Sequence, residues 1–149
     1  MDNIKDLDLE LFIPYRLSIV SRLAQALLAS ALESMDLTVP HWRIFICVNQ
    51  YGTCTLSQIA EFTRLPQSSL SRSISRMNEK GYLIIDRDLN DKRNMKIEMS
   101  TEGVRTFEAA IFSVNDRCNS VLQLDDSEEI RLHKTLDYLI KRLQDVENS

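Results

Sequence analysis

The side chains best suited to chemistry lie in one stretch of the chain, between Thr55 and Met99. A short apolar segment is followed there by one whose outward positions carry only Ser, Gln and Arg: Gln67, Ser68, Ser71, Arg72, Ser75 and Arg76. Gln and Arg can each form paired hydrogen bonds with a base edge, and Ser can donate to a phosphate. The stretch therefore offers the polar surface expected of a protein that enters a DNA groove.

The distribution of charge supports this interpretation. The 149 residues carry a formal net charge of −4, which by itself argues against nucleic acid as a partner. Between Arg64 and Lys96, however, eight basic residues outnumber four acidic ones, so this segment carries +4 and the remainder −8. One basic face on an acidic body is typical of DNA-binding proteins. A solvated charged loop is the alternative interpretation of the same cluster.

Residues for catalysis or metal binding are sparse. His41 and His133 stand 92 positions apart, and the sequence has no Gly-rich phosphate loop, nucleophile elbow or metal-ligand spacing. We therefore predict a protein that is not an enzyme, with no cofactor and no metal. The cysteines form no CxxC pair. We predict buried, unreactive thiols at Cys47 and Cys118, and expect Cys54, in a turn, to be the most accessible.

Composition points to a soluble protein. Apolar residues make up 44% and charged residues 27% of the chain. No apolar run approaches the roughly 20 residues that span a bilayer. The acidic N-terminus also lacks the basic and apolar regions of a signal peptide. We expect a cytoplasmic protein that does not contact a membrane.

Hydrophobic periodicity predicts the elements that must position these residues. We expect a first helix from about residue 9 or 14 to residue 35, a second over about 39–50, two short helices beginning at Thr55 and near Pro66, and two closing helices beginning after Ser100 and Asp125. Thr38 is the expected N-cap of the second helix, and Thr55 with Gln58 and Asp125 with Glu128 are expected capping boxes. In the helix near Pro66, the spacing makes Leu70, Ile74 and Met77 the buried stripe. Residues 82–85 and 95–99 are predicted strands on either side of a polar hairpin tip, and the alternation of apolar and polar residues over 95–99 is typical of a half-buried strand.

The first helix and the last two carry long apolar stripes. The middle of the chain, however, is compact and can bury nearly all of its own apolar residues. Helices with wide apolar faces and no remaining partner in their own chain indicate a second subunit. We therefore predict a two-fold symmetric homodimer. Packing of these helices on the central part of the same chain is the alternative.

Five short segments, in order and at the right spacing, resemble the MarR family of winged-helix transcription regulators. They are Leu37-Thr38-x-Pro-x-Trp42-Arg43, the helix pair from Leu56 to Lys80, Gly81-Tyr82-Leu83, Asp91-Lys92-Arg93 and Ser100-Thr101-Glu102-Gly103. The resemblance implies a mainly α fold with a small antiparallel β wing. Residues 37–100 would form the winged helix-turn-helix DNA-binding domain, and residues 1–36 and 101–149 the helical dimerisation region.

The same resemblance implies a function. It predicts a sequence-specific regulator of transcription that binds double-stranded DNA, a ligand-responsive repressor acting as a homodimer on a pseudo-palindromic operator. The alternative is a winged helix used for protein–protein contact without DNA binding. An apolar outer face on the helix near Pro66 would favour that alternative, whereas the sequence places Ser, Gln and Arg there.

By resemblance, the helix near Pro66 enters the major groove and the loop between the strands reaches the minor groove. The implied DNA-binding residues are Gln67, Ser68, Ser69, Ser71, Arg72, Arg76, Arg87, Lys92 and Arg93. Arg76 lies later on the helix, so it suits a phosphate contact or a structural salt bridge better than a base. The family's wing carries Asp-Arg-Arg, and Lys92 departs from it. Lysine keeps the charge but loses the planar fork, which favours a phosphate contact, while Arg93 would enter a narrow minor groove.

Many members of the family release DNA when a small aromatic anion binds between the dimer helices and the DNA-binding lobe. The residues at the corresponding positions are Tyr15, Arg16, His41, Trp42 and Arg43. Two arginines and a histidine could hold a carboxylate, and the aromatic rings could cover its apolar body. A core role for Trp42 and a structural ion pair for Arg43 are the alternatives.

Overall fold

The computed structural model describes residues 8–86 and 95–147, which form six α-helices and three short strands. The helices are α1 (Ile13–Leu32), α2 (Val39–Tyr51), α3 (Leu56–Thr63), α4 (Gln67–Glu79), α5 (Thr101–Leu122) and α6 (Asp126–Glu147). The strands are β1 (Cys54–Thr55), β2 (Leu83–Asp86) and β3 (Lys96–Met99), and a short 3-10 helix, Glu33–Met35, follows α1. The predicted mainly helical fold with a small antiparallel sheet is confirmed.

By compactness the chain divides into two units, residues 1–115 and residues 116–149. The predicted division at residues 36 and 100 follows a different criterion and stays a prediction. Of the helices in the described residues, none is both long and apolar enough to cross a lipid bilayer.

The sheet is antiparallel, and β3 lies between β1 and β2. Ile97 at its centre pairs with Cys54 on one side and Ile85 on the other. Burial alternates along β3 because successive side chains of a strand point to opposite faces. Lys96 and Glu98 are exposed while Ile97 is fully buried. One face of the sheet therefore closes the core, as the sequence pattern predicted.

Aromatic contacts tie α2 to the start of α5 within the first unit. The ring of Phe107 lies 5.5 Å from that of Trp42 and 5.6 Å from that of Phe45, and Phe45 also contacts Tyr82 at 5.9 Å. Aromatic pairs at such distances contribute about 0.5–1.5 kcal/mol beyond their buried area. Phe45 is fully buried, so α2 runs through the centre of this core.

Three helices begin with a capping box. In each box the side chain of the capping residue accepts the backbone N–H three residues later, and the side chain of that later residue accepts the backbone N–H of the capping residue. Thr55 with Gln58 starts α3, and Asp125 with Glu128 starts α6; both boxes were predicted. Thr38 caps α2 as predicted, and its partner is His41. Each cap fixes the position where the chain turns into the helix.

The predicted exposure of the cysteines is wrong for two of the three. Cys54 is only 1% exposed, because β1 pairs with β3 and directs the Cys54 thiol at the carbonyl oxygen of Cys47, 3.8 Å away. Cys118 is only partly buried in the single chain. Burial raises the pKa of the Cys47 thiol to about 12 and also raises that of Cys54. Cys47 is buried, as predicted.

The C-terminal unit leaves its apolar side chains exposed. None of the described residues of α6 is buried in the single chain. Ile140, Leu143 and Val146 are 53%, 60% and 74% exposed. The apolar stripe predicted for this helix is therefore present and uncovered.

Candidate nucleic-acid interface

Helix α4 separates a buried apolar stripe from an exposed polar face. Leu70, Ile74 and Met77 are at most 4% exposed, which confirms the predicted stripe. Their spacing of four and three residues keeps them on one side of a helix with 3.6 residues per turn. The stripe anchors α4 in the core, so the opposite side must face outward.

The outward side carries the predicted polar side chains. Gln67, Ser68, Ser71, Arg72, Ser75 and Arg76 are all exposed, and Ser69 is partly buried. Arg72 makes no ion pair with any other residue that the structure describes. Pro66 precedes the helix and offers no side-chain cap, so the first-turn N–H groups are open to an incoming acceptor. A helix N-terminus of this kind suits a phosphate oxygen.

The turn before α4 is held by polar contacts to the backbone. The Thr63 hydroxyl donates to the carbonyl oxygen of Ile59 at 2.7 Å and accepts the N–H of Leu65 at 3.4 Å. Arg64 adopts a left-handed conformation, with φ 53°. The Arg43 guanidinium donates to the Thr63 carbonyl at 3.5 Å. Arg43 therefore supports the end of α3, a structural role close to the alternative weighed for it.

At the other end of α4, two cations meet one carboxylate. Nη2 of Arg76 lies 3.3 Å from both carboxylate oxygens of Asp36. Nζ of Lys80 donates to the Asp36 carbonyl at 3.0 Å and also to its carboxylate. The hydrogen bond from Lys80 and the charges of both cations hold the pKa of Asp36 below its ordinary value. Of the two roles considered for Arg76, the structure contains the salt bridge.

The wing is supported at its base by close backbone contacts. Gly103, in the first turn of α5, lies against Tyr82 so closely that a Cβ would fall 2.0 Å from the Tyr82 carbonyl oxygen. The Ser100 hydroxyl donates to the Gly81 carbonyl at 2.5 Å and accepts the N–H of Gly103 at 2.9 Å. These contacts fix the start of β2. The predicted wing residues Arg87, Lys92 and Arg93 lie outside the described residues.

The five predicted effector residues do not line one common groove. Tyr15 and Arg16 border a groove on α1, and the Arg16 guanidinium donates to the carbonyl of Glu10 at 2.7 Å. His41 is 2% exposed, and its Nδ1 accepts the N–H of Thr38 at 3.2 Å. Burial, followed by the charges of Lys80 and Arg76, lowers the pKa of His41. The imidazole thus serves the cap of α2.

Sequence reasoning missed two residues that shape this interface. Asp36 is separated from its partners by 40 and 44 positions, and no local pattern connects them. Gly103 could have been suspected, because a glycine inside a helical pattern often marks a close approach. Within the described residues, no group of three His, Cys, Asp or Glu side chains could hold a metal ion.

Comparison with known proteins finds similar proteins among transcription regulators. Residues 35–94 match the model of the MarR family. The chain is 23% identical over 118 residues to the HTH-type transcriptional regulator FarR of Neisseria gonorrhoeae, covering 79% of this chain and 81% of FarR. Matches to regulators from Bacillus species cover less than half the length of those proteins.

Solved structures show the same fold. A Cys-to-Ser variant of E. coli MarR, complexed with operator DNA, superposes with a TM-score of 0.72 at 23% identity, covering 93% of this chain and 99% of that one. Bordetella bronchiseptica BpsR, whose DNA binding is regulated by 6-hydroxynicotinic acid, gives 0.75 at 16% identity, covering 89% and 98%. The relatives are named as regulators of transcription rather than enzymes. Over residues 35–94 the chain is therefore similar to the MarR family of winged-helix transcription regulators.

Proposed function

We propose that this protein is a sequence-specific regulator that binds double-stranded DNA by placing α4 in the major groove. The observation that carries the proposal is the division of α4 into a buried Leu70–Ile74–Met77 stripe and an exposed Gln, Ser and Arg face. A major groove admits one α-helix, whose outer side chains then meet the base edges. An apolar outer face would instead have favoured a protein partner.

Each side chain on the exposed face has a role that its chemistry suits. Gln67 in the first turn can pair with an adenine, and Arg72 with a guanine, each through two hydrogen bonds. Ser68, Ser69 and Ser71 can donate to phosphates or bases. We assign phosphate contacts to the wing residues Arg87 and Lys92 and a minor-groove contact to Arg93, which rest on the sequence resemblance.

We further propose that the protein acts as a homodimer. Support comes from apolar side chains left exposed in both units of the single chain. On α1, Ile13 and Val20 are 61% and 62% exposed, and on α6 Leu143 is 60% exposed. Burying such surface against a second copy would yield about 25 cal/mol for each Å² removed from water. A two-fold dimer places two α4 helices about one turn of DNA apart, so the operator would be pseudo-palindromic.

Light scattering of the purified protein tests the dimer. Leu143→Glu should shift the mass from dimer towards monomer, because the carboxylate would be buried without a partner. Lys141→Glu on the same helix, which also adds negative charge at an exposed position, should leave the dimer intact. A monomeric wild-type protein, or equal effects of both variants, would contradict the proposal.

The DNA-binding proposal is tested by selection from random duplexes followed by sequencing. The wild-type protein should enrich a pseudo-palindrome. Arg72→Ala should then weaken binding to that operator about 5-fold to 100-fold and relax base preference at one position in each half-site. Arg131→Ala removes the same charge from α6, to which no DNA contact is assigned, and should bind like wild type. Binding without any enriched sequence would favour a winged helix that contacts protein.

We also propose that a small aromatic anion releases the DNA, which would make the protein a ligand-responsive repressor. Support comes from BpsR, whose DNA binding is regulated by an aromatic acid, and from the groove that Tyr15 and Arg16 border. Arg16 could hold a carboxylate and the Tyr15 ring could cover an apolar body. Calorimetry against aromatic carboxylates and their thioesters tests this proposal. An absence of binding heat across the panel would count against it.

A further inference from the structure

Three cations follow one another at intervals of four residues: Arg72 and Arg76 on α4, and Lys80 at its C-terminal cap. Residues four apart lie on nearly the same side of a helix, and each step advances about 6 Å along its axis. If Arg72 reaches the DNA, a free Arg76 would therefore be within one side chain's length of the same phosphate backbone.

Only the first of these cations is unpaired among the described residues. Asp36 binds the Arg76 guanidinium through both carboxylate oxygens and takes two hydrogen bonds from Lys80. The carboxylate and Arg76 are both exposed, at 68% and 54% of their side chains. A phosphate could therefore compete with Asp36 for the Arg76 guanidinium in water.

Asp36 is held in place by the backbone and not by its pairing alone. It adopts a left-handed conformation with φ 51°, and its N–H donates to the Glu33 carbonyl at 3.0 Å. The next residue, Leu37, is 5% exposed and donates its N–H to the Leu32 carbonyl at 3.2 Å. The turn after α1 thus presents the carboxylate to α4 on a short side chain with a fixed backbone, which lowers the entropy cost of the pair.

We infer that Asp36 acts as an internal competitor of DNA phosphate for Arg76, and thereby limits the sequence-independent part of DNA affinity. The inference rests on the proposed function. Asp36 acts through Arg76, so it is a positioning residue and contacts no base. Each phosphate contact steepens the fall of log K with log salt by about 0.9 and strengthens binding to every sequence alike. Asp36 therefore keeps one such contact per subunit weak.

The substitution Asp36→Asn isolates this role. An amide has nearly the shape of the carboxylate but no charge, so it removes the ion pair with Arg76 and leaves at most a neutral hydrogen bond. Lys80 keeps its hydrogen bond to the backbone carbonyl of residue 36. Exposed ion pairs contribute little to stability, so the variant should fold, which circular dichroism and thermal melting check. The matched control is Glu33→Gln, which removes the same charge three residues away from an exposed side chain without an ion pair to a described residue.

The experiment measures binding of the full-length protein to its selected operator and to a scrambled duplex across a range of salt concentrations. Asp36→Asn should raise affinity for both duplexes by a similar factor, on the order of 5-fold at 0.1 M salt. The salt slope should steepen by about 0.9 for each bound subunit. Glu33→Gln should do neither. Adding Arg76→Gln to Asp36→Asn should restore the slope of the Arg76→Gln single variant.

Three results would overturn the inference. Asp36→Asn could match Glu33→Gln, it could weaken binding to both duplexes, or its gain could survive the added Arg76→Gln. The first would mean that only overall charge matters, and the second that Asp36 supports the geometry of α4. If the wild-type protein binds no duplex at all, the proposed function fails and this inference with it. A failure confined to the variants leaves the proposed function standing.

Discussion

Replacing Gly103 with alanine tests the contact that holds the base of the wing. The added Cβ would lie 2.0 Å from the carbonyl oxygen of Tyr82 and 3.0 Å from its carbonyl carbon. Cβ atoms essentially never approach another heavy atom closer than 3.0 Å, so α5 and the backbone at Tyr82 must separate by about 1 Å. Both are backbone, so neither can rotate away as a side chain could.

The cost follows from what the separation would break. The Tyr82 carbonyl accepts the N–H of Ser100 at 3.0 Å, and the Ser100 hydroxyl accepts the N–H of Gly103 at 2.9 Å. Overpacking costs about 1–3 kcal/mol, and we take the upper end because two hydrogen bonds are strained. Alanine returns about 1 kcal/mol through its better helix propensity. We therefore expect a net loss of about 2 kcal/mol in the free energy of unfolding.

Chemical denaturation at equilibrium measures this loss, and Gly81→Ala is the control. At Gly81 an added Cβ meets nothing within 4 Å, but φ is 74°. That variant should lose about 1 kcal/mol through backbone strain alone. A Gly103→Ala protein as stable as wild type would refute the packing argument. It would mean that the helix gain exceeds the cost of the close contact.

Three further predictions concern other parts of the chain. Thr55→Ala should lower the free energy of unfolding by about 1 kcal/mol in denaturant titrations, because the capping box of α3 is lost. Burial lowers the pKa of His41 below its ordinary value of 6.5. The stability that neutral His41 contributes is therefore complete above about pH 6.5 and is lost as the pH falls through the lower pKa of the folded state. Thermal melts of wild type should show this loss below about pH 6.5, and those of His41→Gln should not. Cys118 should react with a thiol reagent in the native protein, whereas Cys47 and Cys54 should be labelled only on unfolding. Labelling of Cys54 at the rate of Cys118 would contradict the observed burial.

Local patterns predicted much of the fold because local physics decides it. The buried stripe of α4 follows from helical spacing, and the starts of α3 and α6 follow from residues that satisfy N–H groups three positions away. The alternation along β3 likewise predicted which of its side chains are buried. Each of these signals involves residues within a few positions of one another.

The predictions that were wrong concern burial set by distant partners. Cys54 sits in a sequence typical of a turn, yet β1 pairs it with Ile97, 43 positions later. Cys118 lies among apolar residues on α5, yet it stays partly exposed in the single chain. The residues next to a position do not indicate which distant segment will bury it, because that burial depends on how the helices and strands pack.

The sequence by itself predicted a winged helix-turn-helix whose second short helix exposes Gln, Ser and Arg side chains. Periodicity and capping are short-range, so one chain suffices to predict them. Only the tertiary structure decided which partners the basic side chains of this segment have. It paired Arg76 and Lys80 with Asp36 and pressed Gly103 against Tyr82. Such contacts depend on how remote segments pack, because electrostatic and steric forces depend on distance in space and not on separation along the sequence.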